Sequence, residues 1–382
     1  MKYCKLIDVC DFQGGSQPPK SDWITEPKDG YIRMLQIRDF TQNYGKPEYV
    51  KITNAIKTCK SDDILIARYG ASVGKILTGL SGAYNVAIMK TIPKEETLLK
   101  RYLYYFLKSN LFQNYILNVG SRAAQAGFNK EDLAGINIQV HSIETQKNII
   151  LQLENIGKLI NLRKKAIEKC NNLIKSQFVE MFGNININNK NYEECKLSDY
   201  LKVIGGYAFK SKNFKNKGIP VLRIGNINAG CFIPKDLMFW DEDSNLENYA
   251  IYPGDVVMSL TGTVGKDDYG NICIMSDDYE KYYLNQRNAK LILKDKLNSC
   301  YIAYALRIPE IKKRLTGISR GVRQANIANK DIENLIIPIP PIELQNKFAQ
   351  IVEQIDKQKF EFEKSLKKLE ELQASLMQEY FG

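Results

Sequence analysis

Residues 142–183 read SIETQKNIILQLENIGKLINLRKKAIEKCNNLIKSQFVEMFG, and residues 341–382 read PIELQNKFAQIVEQIDKQKFEFEKSLKKLEELQASLMQEYFG. At one constant offset of 199 and with no gap, the two stretches share 13 identical residues in 42 positions. A register held over this length indicates an internal repeat, which must be recognised before any element is assigned. The chain is therefore predicted to be a tandem duplication.

Each stretch has the apolar spacing of a long helix that pairs with another helix. The narrow stripe, with steps of three, four and seven residues, is typical of a coiled coil. A helix of ~40 residues is ~60 Å long at 1.5 Å per residue. We predict an antiparallel pair, because a duplicated chain can close with pseudo-two-fold symmetry. The alternative is two amphipathic helices that pack on separate globular cores. The apolar positions are Ile149, Leu153, Ile156, Ile160, Ile167, Cys170 and Ile174 in the first copy, and Phe348, Ile351, Ile355, Phe362, Leu366, Leu369, Leu372 and Leu376 in the second.

The segment before each helix repeats as well. Cys4-Lys5-Leu6 recurs as Cys195-Lys196-Leu197, and Gly14-Gly15 recurs as Gly205-Gly206, both at an offset of 191. Short β-rich runs with glycine-centred turns precede short helical patterns, which predicts an α+β fold. The predicted organisation is a first globular domain at 1–141, a first helix at 142–183, a polar linker at 184–192, a second globular domain at 193–340 and a second helix at 341–382.

The composition excludes several classes of protein. Of the 382 residues, 44% are hydrophobic and 25% are charged, which is ordinary for a globular protein. No run approaches the ~18 apolar residues of a membrane span, and the N-terminus has no apolar signal region. We therefore expect a cytoplasmic protein with no membrane partner. The eight cysteines form no C-x-x-C pair, and with one histidine the chain cannot assemble a usual zinc site.

The positive charge is unevenly distributed. The formal net charge is +11, but the two predicted helices hold 13 basic and 12 acidic residues. Ten of the eleven surplus charges therefore belong to the globular parts and their linker. Contacts to phosphate supply the sequence-independent affinity for nucleic acid, so a DNA footprint is expected on the globular parts.

Motifs for catalysis are missing. Neither Gly70–Lys75 nor the related segment 262–267 has the four residues that a phosphate-binding loop needs between its glycines, and Ile76 stands where Mg²⁺ requires Ser or Thr. His141 is the only histidine, so no duplicated histidine-based triad can exist. We find no dinucleotide-binding glycine turn and no Asn/Asp-Pro-Pro-aromatic tetrapeptide of amino-methyltransferases. We predict no catalytic residues, no cofactor and no metal in this chain.

Glycine-punctuated loops at matching places in both copies carry residues suited to reading DNA. Arginine can pair bidentately with guanine, and Gln or Asn with adenine, while Lys, Ser and Thr hold phosphates. The copies differ most at these loop tips, so two related domains would read two different half-sites. The candidates are Gln36, Arg38, Arg68, Tyr69, Lys75, Arg122 and Gln125 in the first copy, and Lys210, Arg223, Asn226, Thr261, Thr263, Lys266, Arg320, Arg323 and Gln324 in the second.

The whole chain resembles the specificity subunit of Type I restriction-modification systems. Each copy opens with a Leu-x-Asp…Gly-Gly segment, and the second carries the turn Pro253–Val257 and the run Pro340–Gln345 before its helix. The first copy departs from this pattern at Lys60–Asp63 and at Gln139–Gln146. These departures affect the local turn geometry and leave the family resemblance intact.

The resemblance implies two target-recognition domains that bind the two parts of a bipartite site on double-stranded DNA, with an unread spacer between them. It implies helices that set the spacing and dock two modification subunits, which bind S-adenosylmethionine and methylate adenine. This chain would then be a non-catalytic subunit without a cofactor of its own. Whether a restriction subunit joins the complex is left open.

Two other classes of function stay open from the residues alone. One is the recognition module of a Type II-like methyltransferase or endonuclease, which would need a motif for S-adenosylmethionine or a metal. The other is a coiled-coil structural protein that does not bind DNA. Salt-dependent DNA binding separates the last class from the others, because neutralised phosphates impose a steep salt dependence.

Overall fold

The computed structural model of the chain describes residues 2–42, 45–120, 127–228, 230–263, 265–317 and 324–382. It divides into two compact units. Unit 1 consists of residues 1–164 and 363–382, and unit 2 of residues 165–362. Each unit therefore contains one globular domain together with parts of both long helices.

The globular domain of unit 1 is built from two four-stranded sheets and a small two-stranded sheet. Its elements are β1 (Lys2–Lys5), α1 (Leu6–Val9), β2 (Cys10–Gly14), β3 (Tyr31–Leu35), α2 (Ile37–Thr41), β4 (Tyr49–Lys51), β5 (Thr58–Cys59), β6 (Leu65–Ala67), β7 (Ile76–Leu77), β8 (Gly82–Tyr84), β9 (Ile88–Pro93), α3 (Lys100–Lys108), α4 (Asn110–Gly120), β10 (Asn137–Val140) and the first part of α5 (Ile143–Phe182). The sheet orders are β2-β9-β6-β7, β4-β3-β8-β5 and β1-β10.

Unit 2 repeats this plan. Its elements are β11 (Glu194–Lys196), β12 (Leu201–Gly205), β13 (Ile219–Leu222), α6 (Ile224–Ile227), β14 (Met238–Trp240), β15 (Ala250–Ile251), β16 (Val256–Ser259), β17 (Thr261–Thr263), β18 (Ile272–Ile274), β19 (Tyr282–Leu284), β20 (Asn288–Leu293), α7 (Ser299–Arg307), α8 (Pro309–Thr316), β21 (Gln324–Asn326), α9 (Asn329–Glu333), β22 (Ile336–Pro338) and the first part of α10 (Ile342–Phe381). The orders β12-β20-β16-β18, β14-β13-β19-β15 and β11-β22 match those of unit 1, and β17-β21 is an additional pair. The predicted α+β tandem duplication is confirmed.

The two long helices have 40 residues each, which corresponds to ~60 Å. In unit 1 the segments of α5 and α10 run antiparallel. The contacts are Tyr380 Oη donating to Gln152 Oε1 (2.8 Å), Arg163 Nε donating to Ser365 Oγ (3.1 Å), and the ion pair Lys164–Glu370 (2.9 Å). From Gln152 to Arg163 along α5, the partner in α10 changes from Tyr380 back to Ser365, which shows that the two helices are antiparallel.

In unit 2 the remaining segments pair in the same sense. The rings of Phe178 and Phe182 of α5 each lie 5.4 Å from that of Phe348 in α10, and Phe182 lies 4.9 Å from Tyr301 of α7. Each helix thus contributes to two hydrophobic cores. The predicted antiparallel pairing is confirmed, and the alternative of two helices on separate cores is wrong.

A buried glutamine anchors the start of each long helix to its domain. In unit 1 the fully buried Gln146 accepts a hydrogen bond from Leu99 N–H (2.9 Å) and donates to the carbonyls of Thr97 (2.8 Å) and His141 (2.9 Å). In unit 2 Gln345 makes the equivalent bond to Asn298 N–H (2.8 Å). Buried amides of this kind are stable only when fully paired, which explains why glutamine occurs at this place in both repeats.

The segment predicted as a polar linker folds against unit 2. Its asparagines form turns, and Asn184 N–H donates to Asn189 Oδ1 (2.8 Å). Ile185 is 1% exposed and belongs to the core of unit 2. The predicted domain boundaries themselves stay predictions.

Candidate nucleic-acid interface

Strand pairing brings several loops of each globular domain together at one end of its sheet. We call this end the edge of the domain. β3 and β8 are parallel neighbours, and so are β13 and β19, so the residues after these strands emerge side by side. The carboxyl ends of parallel strands are where α/β proteins commonly place ligand-binding loops. The segment after β8 is a tight turn at residues 85–88, and the one after β19 is a tight turn at 285–288. We call each of them the central turn of its domain.

In unit 1 the central turn is the meeting point of three other segments. They are the Gly-Gly segment after β2, the end of β3 before Gln36, and the end of β6 at Arg68. Three backbone hydrogen bonds join them: Gly15 N–H to the Ile88 carbonyl (3.0 Å), Asn85 N–H to the Leu35 carbonyl (3.1 Å), and Arg68 N–H to the Ala87 carbonyl (2.8 Å).

Unit 2 repeats the same connections around its own central turn. The bonds are Gly206 N–H to the Asn288 carbonyl (3.1 Å), Asn285 N–H to the Leu222 carbonyl (3.3 Å), and Leu260 N–H to the Arg287 carbonyl (2.8 Å). The structure therefore brings together, in both copies, loop groups that the sequence predicted separately.

The repeated glycine pair is explained by this arrangement. A Cβ atom added to Gly15 would lie 2.1 Å from the carbonyl oxygen of Asn85, and one added to Gly206 would lie 2.2 Å from that of Asn285. No other residue allows the chain to approach the central turn so closely. The second glycine of each pair thus positions the edge.

A further strand segment borders the edge in each domain. Tyr69 forms an isolated bridge with Gly127 in unit 1, and Thr263 pairs with Gln324 in the β17–β21 ladder of unit 2. This places the backbone of the candidate Gln324 beside Thr263. The candidates Arg122, Gln125, Arg320 and Arg323 lie outside the described residues.

Glu48 engages two of the candidates in unit 1. Its carboxylate accepts hydrogen bonds from Lys20 (2.5 Å), Gln36 (2.8 Å) and Arg38 (2.6 Å). The hydrogen bond from Lys20, together with the one from Gln36 and the charges of Lys20 and Arg38, lowers the pKa of Glu48 below its ordinary range. Gln36 and Arg38 therefore lie at the edge with an acidic partner already bound.

Arg68 is also engaged, and its aromatic neighbour is exposed. The guanidinium donates to the Phe128 carbonyl (3.1 Å) and the Val86 carbonyl (3.4 Å), and it lies 5.0 Å from the ring of Tyr69. Tyr69 is 41% exposed. The exposed Lys75 lies in the turn between β6 and β7. That turn joins two strands, whereas a phosphate-binding loop joins a strand to a helix.

In unit 2 an open cleft of about 580 Å³ lies beside the central turn, with Arg223, Lys235, Asp236 and Arg287 among its lining residues. Arg223 donates to the Asp236 carbonyl (2.5 Å). Three cations and one carboxylate give the lining a positive balance, which suits a phosphate or an acceptor-rich base edge. Lys210 is exposed, on the segment that follows the Gly-Gly pair.

Two candidate residues of unit 2, Asn226 and Thr261, are buried and form hydrogen bonds within the domain. Asn226 is 2% exposed; its Oδ1 accepts from Arg223 N–H (3.0 Å), and its amide donates to the carbonyls of Ile233 (3.1 Å) and Lys235 (2.9 Å). Thr261 is 7% exposed and donates to Asn326 Oδ1 (2.7 Å). Both side chains are buried and form hydrogen bonds within the protein, so we do not propose them as DNA contacts.

Thr263 and Lys266 remain accessible. Both are exposed, and Thr263 N–H donates to Asp268 (2.8 Å). This bond is the main cause of the lowered pKa of the Asp268 carboxyl. The half-buried Asp268 gives this end of the edge a carboxylate as well as cations.

Sequence reasoning missed the central turns themselves. Gln286 and Arg287 are exposed on the turn of unit 2, where unit 1 has Val86 and Ala87. The available signal was the asparagine that opens both turns, Asn85 and Asn285, at an offset of 200.

The described residues contain no group of His, Cys, Asp and Glu that could hold a metal ion. His141 is half-buried, and burial lowers its pKa. None of the described helices is long and apolar enough to cross a membrane.

The chain consists of two copies of one α+β domain, each with loops that converge on a central turn and each joined to a long helix. A family model described as "Type I restriction modification DNA specificity domain" matches residues 1–172 and again residues 189–374. The chain belongs to this family, as its sequence motifs indicated.

Curated relatives and solved structures agree with this assignment. The chain is 26% identical to the Type I restriction enzyme MjaVIII specificity subunit of Methanocaldococcus jannaschii, over 96% of this chain and 90% of that protein. It is 21% identical to the EcoKI specificity subunit of Escherichia coli, over 88% of this chain and 78% of that protein. The crystal structure of a Type I S subunit from M. genitalium matches with a TM-score of 0.61 and 16% identity, covering 100% of this chain and 96% of that one. The last comparison shows the shared fold.

Proposed function

We propose that the chain is the DNA-specificity subunit of a Type I restriction-modification complex and that its two globular domains bind the two parts of a bipartite DNA site. The observation that carries the proposal is the convergence of corresponding loops on one edge in both domains. Direct readout needs several side chains that reach neighbouring base edges within one groove. Loops that are joined to one turn by backbone hydrogen bonds support such an arrangement.

The two edges differ in chemistry, which supports the reading of two different half-sites. Unit 1 offers Tyr69 and Lys75, with Gln36 and Arg38 held by Glu48. Unit 2 offers a cleft lined by cations instead. Since the framework is shared, a difference in readout follows from the side chains alone.

Exposed lysines near the edges would hold the phosphate backbone, which positions a protein on DNA without reading its sequence. Half-sites centred about one helical turn apart, ~34 Å, fit beside helices of 40 residues, which are ~60 Å long. The unread spacer of the bipartite site would then face the helices.

The helices are proposed to dock two modification subunits. In unit 1 Leu151, Leu159 and Leu162 of α5 are 57%, 45% and 61% exposed. At 100° per residue these three side chains fall within an arc of about 80°. In unit 2 Leu173 of α5 and Phe360 of α10 are 49% and 63% exposed. Apolar side chains exposed on a helix suit a protein partner, and each unit has its own set.

In this proposal the partners bind S-adenosylmethionine and methylate adenine, and this chain contributes no catalytic residue. A restriction subunit can be present or absent without changing the role of this chain. The cytoplasmic location predicted from the sequence stays a prediction.

The test is methylome sequencing of a host with and without the gene, followed by exchange of residues 1–141 for another recognition domain. We expect a bipartite methylated motif that disappears with the gene, and a change in one half of the motif after the exchange. DNA binding of the complex should weaken steeply with salt. A continuous motif with no unread centre, or binding that is independent of salt, would contradict the proposal.

A further inference from the structure

The central turns of the two domains have the same backbone hydrogen bond. The two side chains within the turn are apolar in unit 1 and polar in unit 2. In both turns the N–H three residues along donates to the carbonyl of the opening asparagine: Ile88 to Asn85 (3.0 Å), and Asn288 to Asn285 (2.9 Å). Between these residues stand Val86 and Ala87 in unit 1, and Gln286 and Arg287 in unit 2.

The arginine at this edge has changed place between the copies. The strand-end residue that donates to the central turn is Arg68 in unit 1 and Leu260 in unit 2, and its partners on the turn are Ala87 and Arg287, respectively. One copy therefore has arginine on the strand and an apolar turn. The other has an apolar strand end and arginine on the turn.

The two guanidinium groups also differ in availability. That of Arg68 is used by the carbonyls of Phe128 and Val86 and lies against the ring of Tyr69. That of Arg287 is exposed, and within the part of the chain that the structure describes no carbonyl or carboxylate accepts a hydrogen bond from it. Arg287 also lines the cleft that contains Arg223, Lys235 and Asp236, so two other cations and one carboxylate share its lining. Its five N–H donors are free for a ligand.

On the basis of the proposed function, we infer that Arg287 is a specificity-determining residue that recognises a guanine in the half-site read by unit 2. Guanine presents O6 and N7 in the major groove, which match the forked donors of arginine. A four-residue turn is narrow enough to enter that groove, which is about 12 Å wide. The neighbouring Gln286 is suited to an adjacent adenine. At the two corresponding positions unit 1 has Val86, which is 40% exposed, and Ala87, and neither side chain has a hydrogen-bond donor.

The experiment sequences the methylome of hosts that carry the whole system with wild-type chain, Arg287→Ala or Arg287→Lys. The half-site of unit 2 is the one that stays unchanged when residues 1–141 are exchanged. We expect both variants to relax one G·C position in that half-site, with a loss of discrimination of roughly 5- to 150-fold, and to leave the other half-site intact. Lysine keeps the charge but lacks the bidentate fork, so it separates base recognition from phosphate contact.

Lys235→Ala is the matched control, because Lys235 is an exposed cation of the same cleft. It should weaken binding of all sequences evenly and leave the motif unchanged. The inference is overturned if Arg287→Ala keeps the full motif, or if Arg287→Lys restores what alanine loses. If the wild-type complex methylates no bipartite motif, the proposed function itself fails, which is a different outcome.

Discussion

The buried glutamine at the start of each long helix gives a prediction whose size follows from the structure. In Gln146→Leu, leucine has a similar volume but can neither accept from Leu99 N–H nor donate to the carbonyls of Thr97 and His141. Gln146 is fully buried, and the three hydrogen bonds that its loss removes are part-buried. At the lower end of the usual range, about 1 kcal/mol for each unpaired group, unit 1 loses about 3 kcal/mol.

Hydrogen exchange measures this loss where it occurs. The amide of Leu99 should exchange about 100-fold faster in Gln146→Leu, since each 1.4 kcal/mol changes an equilibrium tenfold. Urea denaturation should show an earlier transition for unit 1. Gln152→Leu is the control: it removes a hydrogen bond between exposed side chains of the same helix, and it should change stability by no more than about 0.5 kcal/mol. Equal effects of the two substitutions would refute the reasoning. The same loss is expected in unit 2 for Gln345→Leu.

Three further predictions address the edge and the helices. Gly206→Ala forces the chain away from the central turn, so we expect a destabilisation of about 1–3 kcal/mol and loss of one half-site in the methylome. Gly225→Ala, where an added Cβ has open space, should leave the stability unchanged. The pKa of Glu48 is lowered in the folded protein. The ionised carboxylate therefore stabilises the fold by about 1 kcal/mol at pH values above the ordinary pKa of glutamate, and this stabilisation is lost as the pH falls through the lowered pKa. Unfolding measured from pH 7 to pH 3 should therefore show Glu48→Gln converging on wild type at the acidic end, and a constant difference would disprove it. Leu162→Asp should weaken binding of a modification subunit at least tenfold in a pull-down titration without a change in stability, whereas the neighbouring Asn161→Asp should not; equal binding by the two variants argues against this docking surface.

Much of the architecture could be predicted because duplication and helical periodicity are patterns that are visible along the sequence itself. The helices were expected at 142–183 and 341–382, and they span Ile143–Phe182 and Ile342–Phe381. Their antiparallel pairing followed from the duplication. The register of the sheets could not be predicted, because it depends on pairings between strands far apart in sequence, such as β3 with β8.

The candidate edge was predicted in parts only. The loop residues Tyr69, Lys75 and Thr263 are exposed, as a contact with DNA would require. Asn226 was chosen because asparagine can pair with adenine, but its amide also satisfies three backbone groups of its own loop. Asparagine serves both purposes equally well, and only the fold distinguishes them. The sequence did not indicate Arg287 as a candidate, because a turn between two strands has no motif of its own.

The distribution of the two helices over the two units has a consequence for how the protein forms during synthesis. Unit 2 is a continuous segment, 165–362, and all of it has been translated while residues 363–382 of unit 1 are still missing. The core of unit 1 includes Phe381, whose ring lies 4.9 Å from that of Tyr102. Residues translated first must therefore wait for residues translated nearly 280 positions later, and closing so long a loop slows folding. We expect the nascent first domain to remain the aggregation-prone species until the final turns of α10 arrive.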